Sequence, residues 1–238
     1  MQQQYHNQPS VALDQRPFIL FDFDGTLADS LDTALSFFNT LRAEHGNTDI
    51  QPLQREQLRM KTAQEILKHY QIPWYQLPFI HKQALSYMEK NLPHYPLIPG
   101  IKEALMQLKQ QGFRLGILTS NSETVVRHFL NKHDMNLFEV IYAQSSIFGK
   151  HVVLNRFLSD YHLTSDQVIY VGDEIRDIEA AHKAHIKIIA VSWGFNDMAV
   201  LTPRKPYALA RTPQDLLLFS NQIRAADTHM QHATMTQL

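Results

Sequence analysis

Pro17-Phe18-Ile19-Leu20-Phe21-Asp22-Phe23-Asp24-Gly25-Thr26-Leu27 is the stretch on which the fold turns. A short apolar run, rich in aromatic and β-branched residues, stops on an aspartate, and a second aspartate follows two positions later. The length and composition of Pro17–Phe23 predict a buried strand. In an open parallel sheet, ligands gather beyond the carboxyl ends of the strands, which is where these aspartates stand. Gly25 lets the backbone turn sharply as the chain leaves the strand, so Asp24 can swing up beside Asp22. One carboxylate can then attack phosphorus. Its neighbour can protonate the leaving oxygen and later deprotonate a water.

Outward from this strand, further apolar runs at Arg114–Leu118, Phe138–Ala143, Gln167–Val171 and Lys187–Ser192 predict four more, with a short sixth at Tyr207–Leu209. Helical spacing of apolar residues fills the intervals at Ile101–Gln111, Glu123–Lys132, Val152–Tyr161, Asp177–Ala184 and Pro213–Gln222. Pro99 and Gly112 bracket the first of these as start and stop signals. Strands alternating with helices need crossover connections, and hence a parallel sheet. The interval from Leu31 to about Pro96 breaks the alternation, with several helical patterns and no clear strand. The predicted class is α/β: a parallel β-sheet flanked by helices, with a small inserted α-helical domain. Residues 17–30 and 96–224 form the core and 31–95 the insert, while 1–16 and 225–238 are read as disordered tails.

Composition narrows the function. The 238 residues carry a net charge of −1, which gives no reason to expect nucleic acid as a partner. The absence of cysteine rules out disulfides, thiolate nucleophiles and cysteine-based zinc sites, and fits a cytoplasmic protein. No apolar run approaches the ~20 residues of a membrane-spanning helix. The polar N-terminus lacks the pattern of a signal peptide.

Three further polar clusters fall at predicted strand ends. Leu118-Thr119-Ser120-Asn121 closes the second strand, where a hydroxyl and free N–H groups at a helix start can bind an anion. Ser120-Asn121-Ser122-Glu123 also reads as a capping box, with Ser120 as the cap. Lys150 precedes a helix. Gly172-Asp173-Glu174-Ile175-Arg176-Asp177 follows the fourth strand, and its two aspartates, four apart, share a face if the turn is helical.

Asp22-Phe23-Asp24-Gly25-Thr26-Leu27 resembles the first motif of the haloacid dehalogenase superfamily, best in its phosphatase branch and the phosphoglycolate phosphatase-like group. Thr119, Lys150 and Asp173 follow in that superfamily's order. The resemblance spans roughly Pro17 to Gln222 and implies a Rossmann-like core with a helical cap over the site. It implies that Asp22 is the nucleophile, Asp24 the acid and base, Thr119 a phosphate ligand, and Lys150 the cation that holds nucleophile and phosphate. Mg²⁺ would be held by Asp22, the Asp24 backbone carbonyl and Asp173. Asp177 would bind it through water or orient Lys150, with Glu174 less favoured. Ser120 joins the phosphate-binding candidates. Arg55, Arg59 and Lys61 are candidates for gripping an anionic tail of the substrate from the cap. The cap would hinge at Leu27–Ser30 and Tyr95–Pro99.

The expected activity is a Mg²⁺-dependent phosphatase acting on a small phosphorylated metabolite through an aspartyl-phosphate, by a monomer or homodimer without nucleic acid or membrane. Phosphoglycolate is one candidate substrate. Residues 47–99 hold no glycine, however, unlike many phosphoglycolate phosphatases, which argues against it. A sugar phosphomutase, or a non-catalytic binding protein on the same scaffold, are the alternatives. A dehalogenase has no use for Asp24.

Overall fold

The computed structural model describes residues 16–144 and 149–235. The tail expected over 1–16 therefore lies outside the described residues, except for Arg16.

Phe18–Phe21 (β1) has four consecutive buried side chains because both faces of the strand are covered. Ile19 and Phe21 enter one apolar cluster and Phe18 and Leu20 the other, following the two-residue alternation of a strand. Five more strands are parallel to it: Arg114–Thr119 (β2), Val140–Ala143 (β3), Val168–Gly172 (β4), Lys187–Val191 (β5) and Ala208–Ala210 (β6). Their order is β3-β2-β1-β4-β5-β6. β1 thus pairs with β2 on one side and β4 on the other, and the strand order reverses there. That reversal opens a crevice at the carboxyl ends. β3 starts two residues later than its apolar run suggested.

Helices Ile101–Gln110 (α5), Glu123–Lys132 (α6) and Asp215–Met235 (α10) cover one face of the sheet, and Lys150–Asp160 (α7) and Ile175–Lys183 (α8) the other. A short helix, Met198–Leu201 (α9), follows β5. The tail expected to be disordered from residue 225 is instead helical backbone through Met235, as α10 runs on past its predicted end at Gln222. Ile223 is buried in the core and Arg224 stacks over Phe113, which anchors the helix beyond that point.

The insert is helical, as expected: Leu31–Glu44 (α1), Arg55–Arg59 (α2), Ala63–His69 (α3) and Leu77–Asn91 (α4). It has its own core, formed by Phe37, Leu41, Leu58, Ile66, Tyr70 and Ile80 among others. Tyr70 bridges this core by accepting from the Leu53 N–H at 2.8 Å and donating to Asn39 at 2.6 Å. The two strands of chain that join insert and sheet run antiparallel. The Asp29 N–H donates to the Pro96 carbonyl, and the Ile98 N–H to that of Leu27. The insert therefore stands on a paired, two-stranded stalk.

Candidate active site

Asp22, Thr119 and Asp173 emerge from the ends of β1, β2 and β4, three adjacent strands, so residues up to 151 positions apart in sequence meet in one crevice. Asp22 is 6% exposed, and Asp173 and Asp177 are fully buried. Lys150, at the first position of α7, reaches in to donate to Asp22 Oδ2 at 2.8 Å and Asp177 Oδ1 at 2.6 Å.

Lone-pair counting separates the carboxylates. Asp177 Oδ2 accepts from the backbone N–H groups of Asp173 and Glu174, while Oδ1 accepts from Lys150 and, at 3.5 Å, from the Tyr170 hydroxyl. Asp177 therefore stands saturated, anchoring the turn after β4 and holding Lys150. The structure places it where it orients the lysine, one of its two expected roles, and its carboxylate also stands with those of Asp22 and Asp173 in the group that could hold a metal ion. Asp173 accepts one bond per oxygen, from the Thr26 hydroxyl at 2.8 Å and the Phe195 N–H at 2.6 Å. Asp22 likewise accepts one bond on each oxygen, from the Phe23 N–H and from Lys150. Both keep lone pairs free.

Gly25 and Gly194 make this packing possible. A Cβ on either would lie 2.2 Å from Asp173 Oδ2, and Gly25 also has a φ of +72°.

Asp24 is held differently. Its Oδ2 accepts from Asn121 Nδ2 at 2.6 Å, while Asn121 is itself tied through its backbone N–H to Thr119 Oγ1 at 3.1 Å. Ser30 lies close enough to stabilise the charged form of Asp24. Neither the Ser30 hydroxyl nor Asp24 Oδ1 meets a partner in hydrogen-bonding geometry, however.

The charges are unbalanced. Burial pushes Asp22 up to about 7, with Lys150 pulling it back and Asp177 adding to the rise. Burial raises Asp173 as well, reinforced by the charges of Glu174, Asp177 and Asp22. Burial also raises Asp24 and favours its protonated form, while the bond donated by Asn121 pulls the other way. Burial opposes the charge on Lys150, but Asp177 and Asp22 outweigh it and lift its pKa well above the ordinary value. Ligand oxygens of Asp22, Asp173 and Asp177 lie within 4.8 Å of one another. Three carboxylates facing one ammonium, with hard oxygen donors and spare lone pairs on Asp22 and Asp173, suit a divalent cation.

Two cavities adjoin. One, of about 260 Å³, contains Asp22, Lys150 and Gly149. The other, of about 160 Å³, reaches between the helices of the insert. Asp24, His81, Ser120 and Arg176 line both. Burial and the Arg176 charge hold the His81 imidazole below its usual pKa.

Several expected residues lie elsewhere. Arg55 pairs with Asp32 and, at 3.9 Å, with Asp29. Arg59 donates to the backbone carbonyls of Ser192 and, at 3.1 Å, Gly194. Neither lines either of these two cavities; the core loop after β5 offers Arg59 two carbonyls, and Arg55 finds carboxylates beside it. Ser120 is exposed at the junction of the cavities but does not cap α6. The cap position falls to Ser122, whose hydroxyl turns to Glu89 of α4. Sequence reasoning left Asn121, Thr26 and Arg176 without roles and did not reach Gly194 or Phe195. The loop Trp193-Gly194-Phe195-Asn196 follows a strand at the same edge of the sheet, and that position was the available signal.

The α/β fold and this carboxylate crevice define an enzyme-like site suited to a divalent cation and an anionic ligand. Residues 19–191 match the model of haloacid dehalogenase-like hydrolases, and the chain belongs to that family. It is 35% identical over 207 residues to a phosphoglycolate phosphatase of Synechococcus elongatus, covering 86% of this chain and 97% of the relative. It is 26% identical over 223 residues to the pyrophosphatase PpaX of Bacillus cereus, covering 87% and 98%. A haloacid dehalogenase-like hydrolase from Streptococcus pneumoniae superposes with a TM-score of 0.65 at 24% identity, over 86% of this chain and 98% of that one, a likeness of fold. By reaction class the chain is a phosphatase. No helix among the described residues is long and apolar enough to cross a membrane.

Proposed function

We propose that this protein is a Mg²⁺-dependent phosphatase that hydrolyses a small phosphorylated metabolite through an aspartyl-phosphate on Asp22. The observation that carries this reading is the contrast between the two motif aspartates. Asp22 is gripped by Lys150 in a polar, cation-accepting pocket, while Asp24 is bonded to Asn121 on one oxygen, has the other unpartnered, and has its pKa raised toward the protonated form.

In the first step an Asp22 carboxylate oxygen attacks phosphorus, and the bond from phosphorus to the ester oxygen breaks. Asp24 gives its proton to that leaving oxygen, so an alcohol departs. In the second step Asp24, now ionised, takes a proton from water as the water oxygen attacks phosphorus. Inorganic phosphate forms and Asp22 returns as a carboxylate. Thr119 and the N–H groups at the start of α6 offer donors to the phosphoryl oxygens. Lys150 stabilises charge on Asp22 and on the phosphoryl group. Asp22, Asp173 and the Asp24 backbone carbonyl would hold Mg²⁺. When bound, it offsets the charge of the carboxylates and the phosphoryl oxygens.

Hydrolysis of p-nitrophenyl phosphate with and without Mg²⁺ tests the reading, with Asp22→Asn as control. Mg²⁺-dependent release that the substitution abolishes is expected. Metal-independent release, or full activity in Asp22→Asn, would overturn it. The 35% identity to a phosphoglycolate phosphatase supports a small phosphate ester as the substrate, and phosphoglycolate belongs in the first substrate screen.

A further inference from the structure

The two adjoining cavities differ in chemistry. The chamber at Asp22 is lined by Asp22, Lys150, Arg176 and other polar groups. On the insert side, the second chamber is walled by apolar side chains, among them Phe37, Phe38, Ile66, Ile80, Ala84 and Met88. Its polar residues come mainly from the sheet side. The insert supplies only Lys61 and His81. Arg176, which lines both chambers, is paired with Glu174. Asp24 lines both chambers, and so stands where an ester oxygen would pass from one to the other.

A phosphoryl group at Asp22 would thus direct its leaving group past Asp24 into an apolar chamber. At about 160 Å³ that chamber matches an engineered apolar cavity of about 150 Å³ that takes up benzene. We infer that the substrate is a phosphate monoester whose alcohol carries an apolar group of about six carbons, aliphatic or aromatic, lodged between α1, α3 and α4. This rests on the phosphatase reading and narrows it. A carboxylate-bearing alcohol such as glycolate would leave the apolar wall unfilled and bring an anion to it at a desolvation cost.

Primary alkyl phosphates from ethyl to decyl test the inference, because their leaving oxygens are nearly equal in basicity and only the tail changes. With full-length, Mg²⁺-loaded protein, kcat/KM should rise about fourfold per added methylene until about six carbons and then level off. Ala84→Phe, or Ala84→Leu where phenylalanine overpacks, should flatten that rise, with the loss growing with chain length. Calorimetric titration with ethyl-, hexyl- and decylphosphonate reads the chamber without turnover, and affinity should follow the same trend. Turnover with no dependence on chain length, or phosphoglycolate preferred over hexyl phosphate, overturns the inference and leaves the phosphatase reading standing. No Asp22-dependent turnover of any ester overturns the phosphatase reading. In that case the phosphonate titrations alone decide the chamber, and affinity that ignores chain length ends the proposal.

Discussion

Asn121 donates to Asp24 across a 2.6 Å hydrogen bond, joining the loop after β2 to the loop after β1. Because Asn121 is also fixed to Thr119, it aims Asp24 rather than merely neighbouring it. Hydrogen bonds to charged groups are worth about 1.5–3 kcal/mol. Asn121→Ala should therefore lower kcat by roughly tenfold to a hundredfold, and lower the thermal midpoint by a few degrees, since the buried side chain also bonds Thr119. Steady-state kinetics beside a thermal melt will check this.

Asp24→Asn removes the proton donor but leaves Asp22 and Lys150 in place. The loss should depend on the leaving group: about 10²- to 10⁴-fold for alkyl esters, and clearly less in the first step for p-nitrophenyl phosphate, whose phenolate leaves without a proton. Burst kinetics on both ester types separate the steps. Equal losses in the first step for the two would argue against Asp24 as the acid.

Asp177 carries a structural duty. Its carboxylate holds Lys150 and two backbone N–H groups from a fully buried position. Asp177→Ala leaves Lys150 with one carboxylate partner and the turn after β4 without acceptors. Breaking such a buried pair costs about 3–5 kcal/mol, read from the denaturant midpoint. Activity should fall as well, because Lys150 loses the partner that orients it toward Asp22.

Arg59 is a latch between α2 and the loop after β5. It donates to the Ser192 and Gly194 carbonyls, while Asn196 and Asp197 of that loop bond back to the Arg59 carbonyl. The same loop presents the Phe195 N–H to Asp173. Arg59→Ala should cost about 1–3 kcal/mol of stability and lower turnover of all esters by a similar factor. Arg59→Lys should rescue little, since a single ammonium lacks the guanidinium fork that spans two carbonyls. A selective loss on esters with anionic tails would instead restore Arg59 to substrate binding.

The site's main residues were legible because their signals are local. A strand of four buried residues followed by Asp-Phe-Asp-Gly-Thr announces its own strand end, and Thr119, Lys150 and Asp173 each follow or precede an element with clear periodicity. Asn121, Thr26 and Phe195 were not legible in role, because what they do depends on partners in distant segments: Thr26 acts on Asp173 across 147 positions and Phe195 across 22. Arg55 and Arg59 misled for the same reason. A cation on a helix looks free in sequence until its partners, here Asp32 and the backbone of residues 192–194, come into view.

Sequence alone determined the α/β alternation, the helical insert and the identities of the acids at the strand ends. Apolar periodicity and turn residues act within a few positions, and these features need nothing more. Tertiary structure decided how the carboxylates divide their work. Asp177 is saturated, Asp22 and Asp173 keep lone pairs, and Asp24 stands between a polar and an apolar chamber. Those differences depend on hydrogen-bond geometry, burial and shared walls, which exist only once β1, β2, β4 and the insert have packed together.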